Sequence, residues 1–199
     1  SLKKRNDWKI SIYSSDFDKK VEIESIDKIR YDGSLDLIKA VIKLMRPEFG
    51  MDIYLESNVP PGSGLGGSAT IAVVVAGMLN HFKEDKFDNY ELANIAYQAE
   101  RVELAISGGW QDQYAAAFGG FNFIEFKKDD IIVHPLNIKE ETIYELECST
   151  LLCYTGQTRN SGNIAGRQAK AYKSKKQKVS NALDKTRDFA IDMKNVLLK

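Results

Sequence analysis

The stretch from Pro60 to Ala69 constrains the fold more than any other part of the chain. It places four glycines, at 62, 64, 66 and 67, between a strand-like segment and a helix-like one. Without a Cβ, the backbone can take positive φ angles, and its N–H groups can converge on an anion. A helix beginning near Ser68 adds unpaired N–H groups and the positive end of its dipole. The pattern predicts a phosphate-binding loop whose natural ligand is a nucleoside triphosphate.

Two common phosphate-binding motifs fit this loop poorly. A Walker A loop needs Lys-Ser or Lys-Thr directly after its last glycine, and here Ser68-Ala69 follow. The dinucleotide pattern G-x-G-x-x-G is satisfied, and Glu84 and Asp85 lie near the distance expected of a ribose-binding acid. In a dinucleotide fold, however, the glycine turn follows its strand at once and opens the first βα unit. Here Pro60-Pro61 intervene and a long segment precedes them, so a nicotinamide-dependent oxidoreductase is the weaker hypothesis.

A third motif, Pro-x-x-x-Gly-Leu-Gly-(Ser/Gly)-Ser-Ala, matches the same residues. It resembles the central motif of the GHMP kinases, the family of galactokinase, homoserine kinase, mevalonate kinase and phosphomevalonate kinase. The segment Gly108–Asn122 resembles the branch that phosphorylates heptose 7-phosphate, and its Gly-Gly-Trp-Gln-Asp-Gln also resembles the fucokinases. The resemblance covers roughly Ile10 to Gln168.

The resemblance implies an α+β, GHMP-kinase-like fold, with a ribosomal protein S5 domain 2-like N-terminal part. Residues 1–145 are expected to form the ATP-binding domain, and residues 146–199 the beginning of a ferredoxin-like C-terminal domain. The family's Pro-x-Arg and Gly-Gly-x-x-Asp motifs and its third, glycine-rich motif have no match here. The chain is therefore expected to be incomplete at both ends, and the activity below is expected of its parent enzyme.

The glycine loop supplies the expected ATP contacts. These residues are Pro61, Gly62, Ser63, Gly64, Leu65, Gly66, Gly67, Ser68 and Ala69. Ser68 falls at the helix entrance, where its hydroxyl could reach Mg²⁺ or a phosphate oxygen, although an ordinary N-cap is the alternative. By resemblance, Glu100 is the carboxylate ligand to Mg²⁺, with ATP phosphates and water completing the octahedron. Glu91 and Glu103 are the alternatives for this role.

Asp112 is the candidate catalytic residue. It follows Ser107-Gly108-Gly109, a segment able to aim a side chain, and it matches the family's catalytic aspartate. Phosphoryl transfer needs a carboxylate that accepts or orients the proton of the acceptor hydroxyl. The alternative is an aspartate that caps a helix starting near Gln113. The spacing from Glu100 to Asp112 is one residue longer than in some relatives, so their pairing depends on loop geometry.

Residues beside Asp112 are candidates for substrate binding, with ordinary surface or core roles as the alternative. Trp110 could stack on a sugar face, and the amides could bond its hydroxyls. A second candidate region, residues 155–161, resembles a substrate loop of heptose kinases, and its arginine has the fork suited to a distal phosphate. The full set is Gly109, Trp110, Gln111, Gln113, Thr158 and Arg159.

Composition excludes several classes of partner. Lys+Arg and Asp+Glu balance at 28 each, so no global field attracts nucleic acid or an anionic membrane. The longest apolar run, Ala69 to Leu79, is far below the ~20 residues that span a bilayer, and no signal peptide is expected before the first strand. Cys148 and Cys153 lie five apart in a strand-like region, which predicts opposite faces, no mutual disulfide and a reducing cytoplasm. A homo-oligomer stays open.

Periodicity predicts six strands and four helical regions. The strands are Ile10–Tyr13, Lys20–Glu24, Met51–Leu55, Phe121–Phe126, Ile131–His134 and Leu146–Tyr154. The first helix is capped by Ser34 and ended by Pro47, and the second runs over Ser68–Phe82. The third has a capping box at Asp88 and a buried stripe from Leu92 to Ile106. The last helical region runs from Gly162 onward.

The resemblance thus implies an ATP-dependent, Mg²⁺-dependent sugar kinase. Its expected reaction is phosphorylation of the C1 hydroxyl of D-glycero-D-manno-heptose 7-phosphate to the 1,7-bisphosphate. A fucokinase-like or other GHMP kinase differs only in its small-molecule substrate. A nicotinamide-dependent oxidoreductase and a catalytically inactive binding fragment are the remaining alternatives.

Overall fold

The computed structural model describes residues 1–128, 130–153, 161–174 and 177–199, with the side chains of 161–163 left out. The chain divides into two compact units, residues 1–117 and 118–199. The predicted domains 1–145 and 146–199 stay predictions. In the described ranges, no helix is long and apolar enough to span a membrane.

The first unit places helices against a four-stranded sheet. Its elements are β1 (Leu2–Lys4), β2 (Ile10–Ser14), β3 (Lys19–Ile23), α1 (Asp36–Met45), β4 (Met51–Leu55), α2 (Gly67–Asn80), α3 (Asn89–Tyr97), a π-helical segment (Gln98–Glu103) and α4 (Gln111–Phe118). The strand order is β1-β4-β2-β3, in which β2 and β4 run parallel and the other neighbours antiparallel.

Alternation along β2 and β4 builds the core. In the parallel pair Ile10 lies opposite Met51 and Ile12 opposite Ile53, and all four side chains are buried. Because successive side chains on a strand point to opposite faces, these residues share the face covered by α1 and α2. Burying each such side chain is worth roughly 1.5–3 kcal/mol. The sheet thereby fixes the end of β4, from which residues 56–61 lead into the glycine loop.

Helix α1 begins differently from the prediction. Its N-cap is Leu35, in the left-handed region at φ 55°, and Ser34 makes no capping bond. The Asp36 carboxylate instead accepts hydrogen bonds from the N–H groups of Asp32 and Gly33. The same carboxylate and that of Asp32 also hold the buried ammonium of Lys39, at 3.1 and 2.5 Å. The predicted Ser34 cap is therefore wrong, whereas the end of the helix before Pro47 is confirmed.

The predicted starts of α2 and α3 are confirmed: α2 begins at Gly67 and α3 has Asp88 as its N-cap. The Asp88 carboxylate accepts from the Glu91 N–H while Glu91 accepts from the Asp88 N–H, which completes the capping box. After Tyr97 the helix widens into the π-helical segment, which the continuous stripe did not predict. The extra residue rotates the later positions of the helix, so Val102 and Ile106 are exposed and Leu104 packs against the core in their place.

In its described residues, the second unit contains a hairpin and three helices. Its elements are β5 (Asn122–Phe126), β6 (Ile131–Pro135), α5 (Glu140–Ser149), α6 (Ser161–Lys173) and α7 (Gln177–Leu197). Both predicted hairpin strands and the helical region after Gly162 are confirmed.

The strand predicted over Leu146–Tyr154 is wrong. Its first residues belong to α5, whose first turn carries Glu140 and Glu141, and acidic side chains stabilise a helix N-terminus. Leu151 and Leu152, inside the predicted strand, are 94% and 82% exposed. Both cysteines are exposed and free in the structure, and the strand geometry expected around them is absent at Cys148, which lies in α5.

Glu103 ties the π-helical segment to α1. Its carboxylate accepts from the Tyr31 hydroxyl at 2.8 Å and from the Lys43 ammonium at 2.9 Å. These bonds, with that of Lys43 the stronger, lower the pKa of Glu103. Burial and the neighbouring Glu103 raise the pKa of Tyr31 to about 12.

We predict that this carboxylate makes stability depend on pH. Because the pKa of Glu103 is lower in the folded than in the unfolded protein, its contribution is complete above the ordinary glutamate pKa and disappears as pH falls through the folded value. The melting temperature of Glu103→Gln, measured by circular dichroism, should therefore fall less than that of the unsubstituted protein when the pH is lowered from about 5 to about 3. The exposed Glu48→Gln serves as the control, and an equal pH slope for Glu103→Gln would contradict the prediction.

Candidate active site

The glycine loop uses the backbone freedom that its sequence offers. Gly62, Gly64 and Gly66 have φ angles of 73°, 82° and 72°, a region in which other residues are strained. Gly66 is the N-cap of α2. The first N–H groups of α2, those of Gly67, Ser68 and Ala69, have no acceptor within the helix. The loop thus has the conformation of an anion-binding turn at a helix N-terminus.

Ser68 lies inside the first turn of α2 and does not cap it. Its hydroxyl donates a hydrogen bond to Oε1 of Glu100 at 2.8 Å. The structure therefore brings together the two residues that the sequence nominated separately as metal ligands. The ordinary N-cap alternative does not describe Ser68, since Gly66 occupies that position.

Glu100 is a buried carboxylate with several donors around it. Its residue is 4% exposed. Oε2 accepts from Nε2 of Gln113 at 2.6 Å and lies 3.4 Å from the guanidinium of Arg101. The alternatives have other partners, because Glu91 completes the capping box and Glu103 binds Tyr31 and Lys43. Of the three glutamates, Glu100 is the one that meets Ser68.

The π-helical segment determines where Glu100 lies. The Leu104 N–H reaches the carbonyl of Ala99, five residues back, and the Ile106 N–H reaches the carbonyl of Glu100. Ala105, between them, has a φ of 52°, which ends the helix. Such single π turns occur frequently at functional sites, because they displace a side chain from its α-helical direction.

The Ser68 and Glu100 oxygens fit one edge of a magnesium site. With Mg–O distances of about 2.0–2.1 Å, neighbouring ligands of an octahedron stand about 2.9 Å apart. The observed separation is 2.8 Å. Among the residues that the structure describes, no group of three or more His, Cys, Asp and Glu side chains could hold a metal. A metal here would draw its remaining ligands from phosphate and water, as Mg²⁺ commonly does.

Asp112 lies against the glycine loop. Its Cβ and Cγ are each 3.7 Å, and its Oδ1 3.9 Å, from the point where a Cβ on Gly66 would stand. Helix α4 begins at Gln111, so Asp112 belongs to its first turn and does not cap a helix starting at Gln113. The candidate catalytic carboxylate is thus brought to the candidate phosphate site.

The predicted substrate residues near Asp112 have different surroundings. The ring of Trp110 stacks on Tyr97 with centroids 3.4 Å apart, so one of its faces is covered. Gln111 is exposed at the start of α4. The Gly109 carbonyl accepts from Arg101 at 3.4 Å. Thr158 and Arg159 lie outside the described residues.

Gln113 has a different partner from the predicted sugar hydroxyl. It is completely buried and donates to Glu100. Its Oε1 has no hydrogen-bond partner within the described part of the chain. A carboxylate oxygen can accept a hydrogen bond from Nε2 but not from Oε1, so the bond to Glu100 fixes the orientation of the amide. Gln113 thus holds the Glu100 carboxylate from the buried side.

A cavity of about 180 Å³ beside the loop was not predicted. Its walls come from the end of β4, the turn after it and one side of α2. The lining residues are Leu55, Glu56, Ser57, Val59, Leu65, Gly67, Thr70, Ile71 and Val74. Leu65, which precedes α2, is 55% exposed. Val74 on α2 is 49% exposed, although this helix is apolar almost all round. Because α2 carries apolar residues on nearly all sides, its sequence favours a buried helix and does not distinguish the face that lines the cavity.

We predict that Gln113 stabilises the fold through Glu100. Gln113→Leu has nearly the same volume but leaves the buried Oε2 without its closest donor, which should cost about 1–3 kcal/mol of unfolding free energy. Gln111→Leu, two residues away on the exposed side of α4, should change it by less than about 0.5 kcal/mol. Urea unfolding of both variants is the measurement, and equal values would contradict the role of Gln113.

Comparison with known proteins matches this arrangement to one family. The model of the GHMP kinases N terminal domain matches residues 36–120. A D-glycero-alpha-D-manno-heptose 7-phosphate kinase of Campylobacter jejuni is 38% identical over 205 residues, covering 100% of this chain and 60% of that protein. A galactokinase of Clostridium tetani is 32% identical over 147 residues, covering 70% of this chain and 36% of that protein.

A solved structure gives the same result. The crystal structure of a D-glycero-D-manno-heptose 1-phosphate kinase from Bacteriodes thetaiotaomicron matches with a TM-score of 0.81 and 33% identity, over 100% of this chain and 60% of that one. This chain therefore spans about 60% of the length of both heptose kinases. The predicted α+β, GHMP-kinase-like fold is confirmed. By sequence and by fold, residues 36–120 are a GHMP kinases N terminal domain, and the chain resembles heptose kinases along its whole length.

Proposed function

We propose that the protein carrying this chain is an ATP-dependent sugar kinase that phosphorylates a heptose phosphate. The observation that carries the proposal is the position of the Asp112 carboxylate beside the glycine loop, with its Cγ 3.7 Å from the point where a Cβ on Gly66 would stand. A phosphoryl donor held by that loop would place its terminal phosphate beside Asp112. The heptose kinases that resemble the chain over its whole length support the choice of substrate class.

The glycine loop and α2 would hold the nucleotide. Three loop glycines at positive φ and the free N–H groups of Gly67 to Ala69 offer donors to the triphosphate. The adjoining cavity has mainly aliphatic walls, including Leu65, Ile71 and Val74, and it begins at Gly67. A flat, largely apolar base such as adenine suits this cavity, and its binding would remove Leu65 and Val74 from water.

Ser68 and Glu100 would hold Mg²⁺, which when bound neutralises charge on the phosphates. Their hydrogen bond sets the two oxygens 2.8 Å apart before any ligand arrives. Gln113 and Arg101 hold the other carboxylate oxygen, so Glu100 need not reorganise.

Asp112 would orient the acceptor hydroxyl or accept its proton. Its place in the first turn of α4 keeps the carboxylate beside the loop that would hold the phosphates. A general base of this kind contributes about 10²–10⁴-fold to the rate.

We propose heptose 7-phosphate as the acceptor and its C1 hydroxyl as the reacting group. The Campylobacter jejuni relative bears the name of a 7-phosphate kinase, whereas the Bacteriodes thetaiotaomicron structure is named a 1-phosphate kinase. Fucokinase-like or galactokinase-like specificity is the second candidate, supported by the galactokinase match. A cytoplasmic location belongs to the same proposal, and homo-oligomerisation remains a prediction.

A panel of acceptors tests the substrate. The full-length protein that contains this chain is offered heptose 7-phosphate, heptose 1-phosphate, heptose, fucose and galactose with ATP and Mg²⁺. Strict dependence on the 7-phosphate supports the proposal, and transfer to the 1-phosphate or to an unphosphorylated sugar overturns the assignment. Calorimetry with ATP–Mg²⁺ against NAD separates the kinase from the nicotinamide hypothesis.

We predict that Asp112→Asn loses turnover and keeps nucleotide binding. The amide retains the volume of the carboxylate but cannot take a proton, so kcat should fall about 10²–10⁴-fold while KM for ATP stays nearly unchanged. Steady-state kinetics measure both constants. Asp85→Asn, at an exposed position, is the matched control and should leave them unaltered. Weaker ATP binding with normal kcat would contradict the role of Asp112.

We predict that Val74→Glu weakens ATP binding selectively. The new carboxylate would line the apolar cavity and lose hydration when a base enters, so KM for ATP should rise roughly tenfold or more while KM for the sugar changes little. Val196→Glu, an exposed valine on α7, controls for the added charge. If both variants bind ATP equally well, the cavity is not the base site.

A further inference from the structure

Arg101 is a largely buried arginine beside the Glu100 carboxylate. It comes directly after Glu100 in the π-helical segment, and its side chain is only 12% exposed. The guanidinium lies 3.4 Å from Oε2 of Glu100. It also donates hydrogen bonds of 3.4 Å to the carbonyls of Ile106, Ser107 and Gly109. One side chain thus contacts both the Glu100 carboxylate and the loop that leads to Asp112.

Gly108 leaves the space that Arg101 occupies. A Cβ on Gly108 would overlap the Cζ, Nη1 and Nη2 atoms of the guanidinium, so any larger residue there must displace the arginine. The φ angle of Gly108 is not among the positive ones, so the backbone itself does not require glycine. Contact with Arg101 is therefore a physical reason for glycine at this position.

The planar fork of arginine suits this arrangement. Three carbonyls and one carboxylate oxygen surround the guanidinium, and its N–H groups diverge in one plane. Each bond is long, so no single one is strong. Together they restrict the backbone of residues 106–109, which otherwise connects the π-helical segment to α4. An ammonium group, as a compact point charge, cannot match all four acceptors.

We infer that Arg101 is a positioning residue: it holds the loop 106–109 on the Glu100 side of the site and thereby fixes where α4 presents Asp112. This inference rests on the proposed function for the role of Asp112. The hold on the loop is independent of it, because that part depends only on the contacts of Arg101. A misplacement of about 1 Å can cost about 10²-fold in rate, so a small loosening of the loop is sufficient to slow the reaction.

The fluorescence of Trp110 measures the order of the loop 106–109 independently of enzyme activity. The chain contains two tryptophans, and Trp8 is 61% exposed in the turn before β2. Trp8→Phe leaves Trp110, stacked on Tyr97 directly after the loop, as the single indole. In this background we would compare acrylamide quenching of Arg101→Ala, Arg101→Lys and Gly108→Ala. Gly77→Ala is the matched control, since a Cβ there meets nothing within 4 Å.

We expect Trp110 to be quenched more readily in the three test variants and unchanged in Gly77→Ala. Guanidinium ion at millimolar concentration should restore protection in Arg101→Ala, where its space is free, but not in Gly108→Ala, where the added methyl fills part of that space. Melting curves show whether each variant is folded. If Arg101→Ala does not fold, the comparison uses Arg101→Lys and Gly108→Ala. Quenching equal to that of Gly77→Ala in the folded test variants would overturn the inference.

Kinetics of the full-length protein test the effect on Asp112. In Arg101→Ala and Gly108→Ala, kcat should fall about 10–10²-fold, because the loop that presents Asp112 is no longer held in place. A looser Trp110 with unchanged kcat would overturn the positioning of Asp112. If the unsubstituted protein transfers no phosphate, the proposed function fails, and the quenching comparison still decides whether Arg101 holds the loop.

Discussion

The buried carboxylate of Glu100 is the interaction on which the site depends. Removing a carboxylate from water is costly unless charged or polar donors replace its hydration. The donors here come from separate elements: Ser68 from the first turn of α2, Gln113 from α4, and Arg101 from the π-helical segment itself. One anion thereby holds together the helix that begins at the glycine loop and the helix that carries Asp112.

The first turns of α2 combine several roles. Their N–H groups form the end of the glycine loop, Ser68 faces Glu100, and Thr70, Ile71 and Val74 line the cavity. A helix that is apolar nearly all round can carry these roles because its remaining faces are fixed in the core, where Ala72, Val75 and Ala76 are completely buried. The rigid packing of one side keeps the polar and apolar groups of the other side in place.

The sequence predicted those parts of the structure that local chemistry determines. Glycine spacing identified the loop, the pair Asp88 and Glu91 identified a capping box, and the family motif led to Glu100 and Asp112. Tertiary competition explains the failures. Ser34 loses its capping role because the Asp36 carboxylate binds the same turn. Gln113 turns inward because a buried carboxylate needs its amide, and no local pattern reveals that demand. The strand expected after Leu146 rested on apolar residues, whereas acidic residues upstream favour a helix.

The π-helical segment also has a consequence for variation in chain length. An α-helical turn closes on the fourth residue and a π turn on the fifth, so the bond from the Leu104 N–H to the Ala99 carbonyl takes up one additional residue within the helix. An insertion absorbed in this way leaves the connecting backbone after Ala105 at its original length, so a protein lineage could gain or lose that residue without lengthening the connection to Asp112.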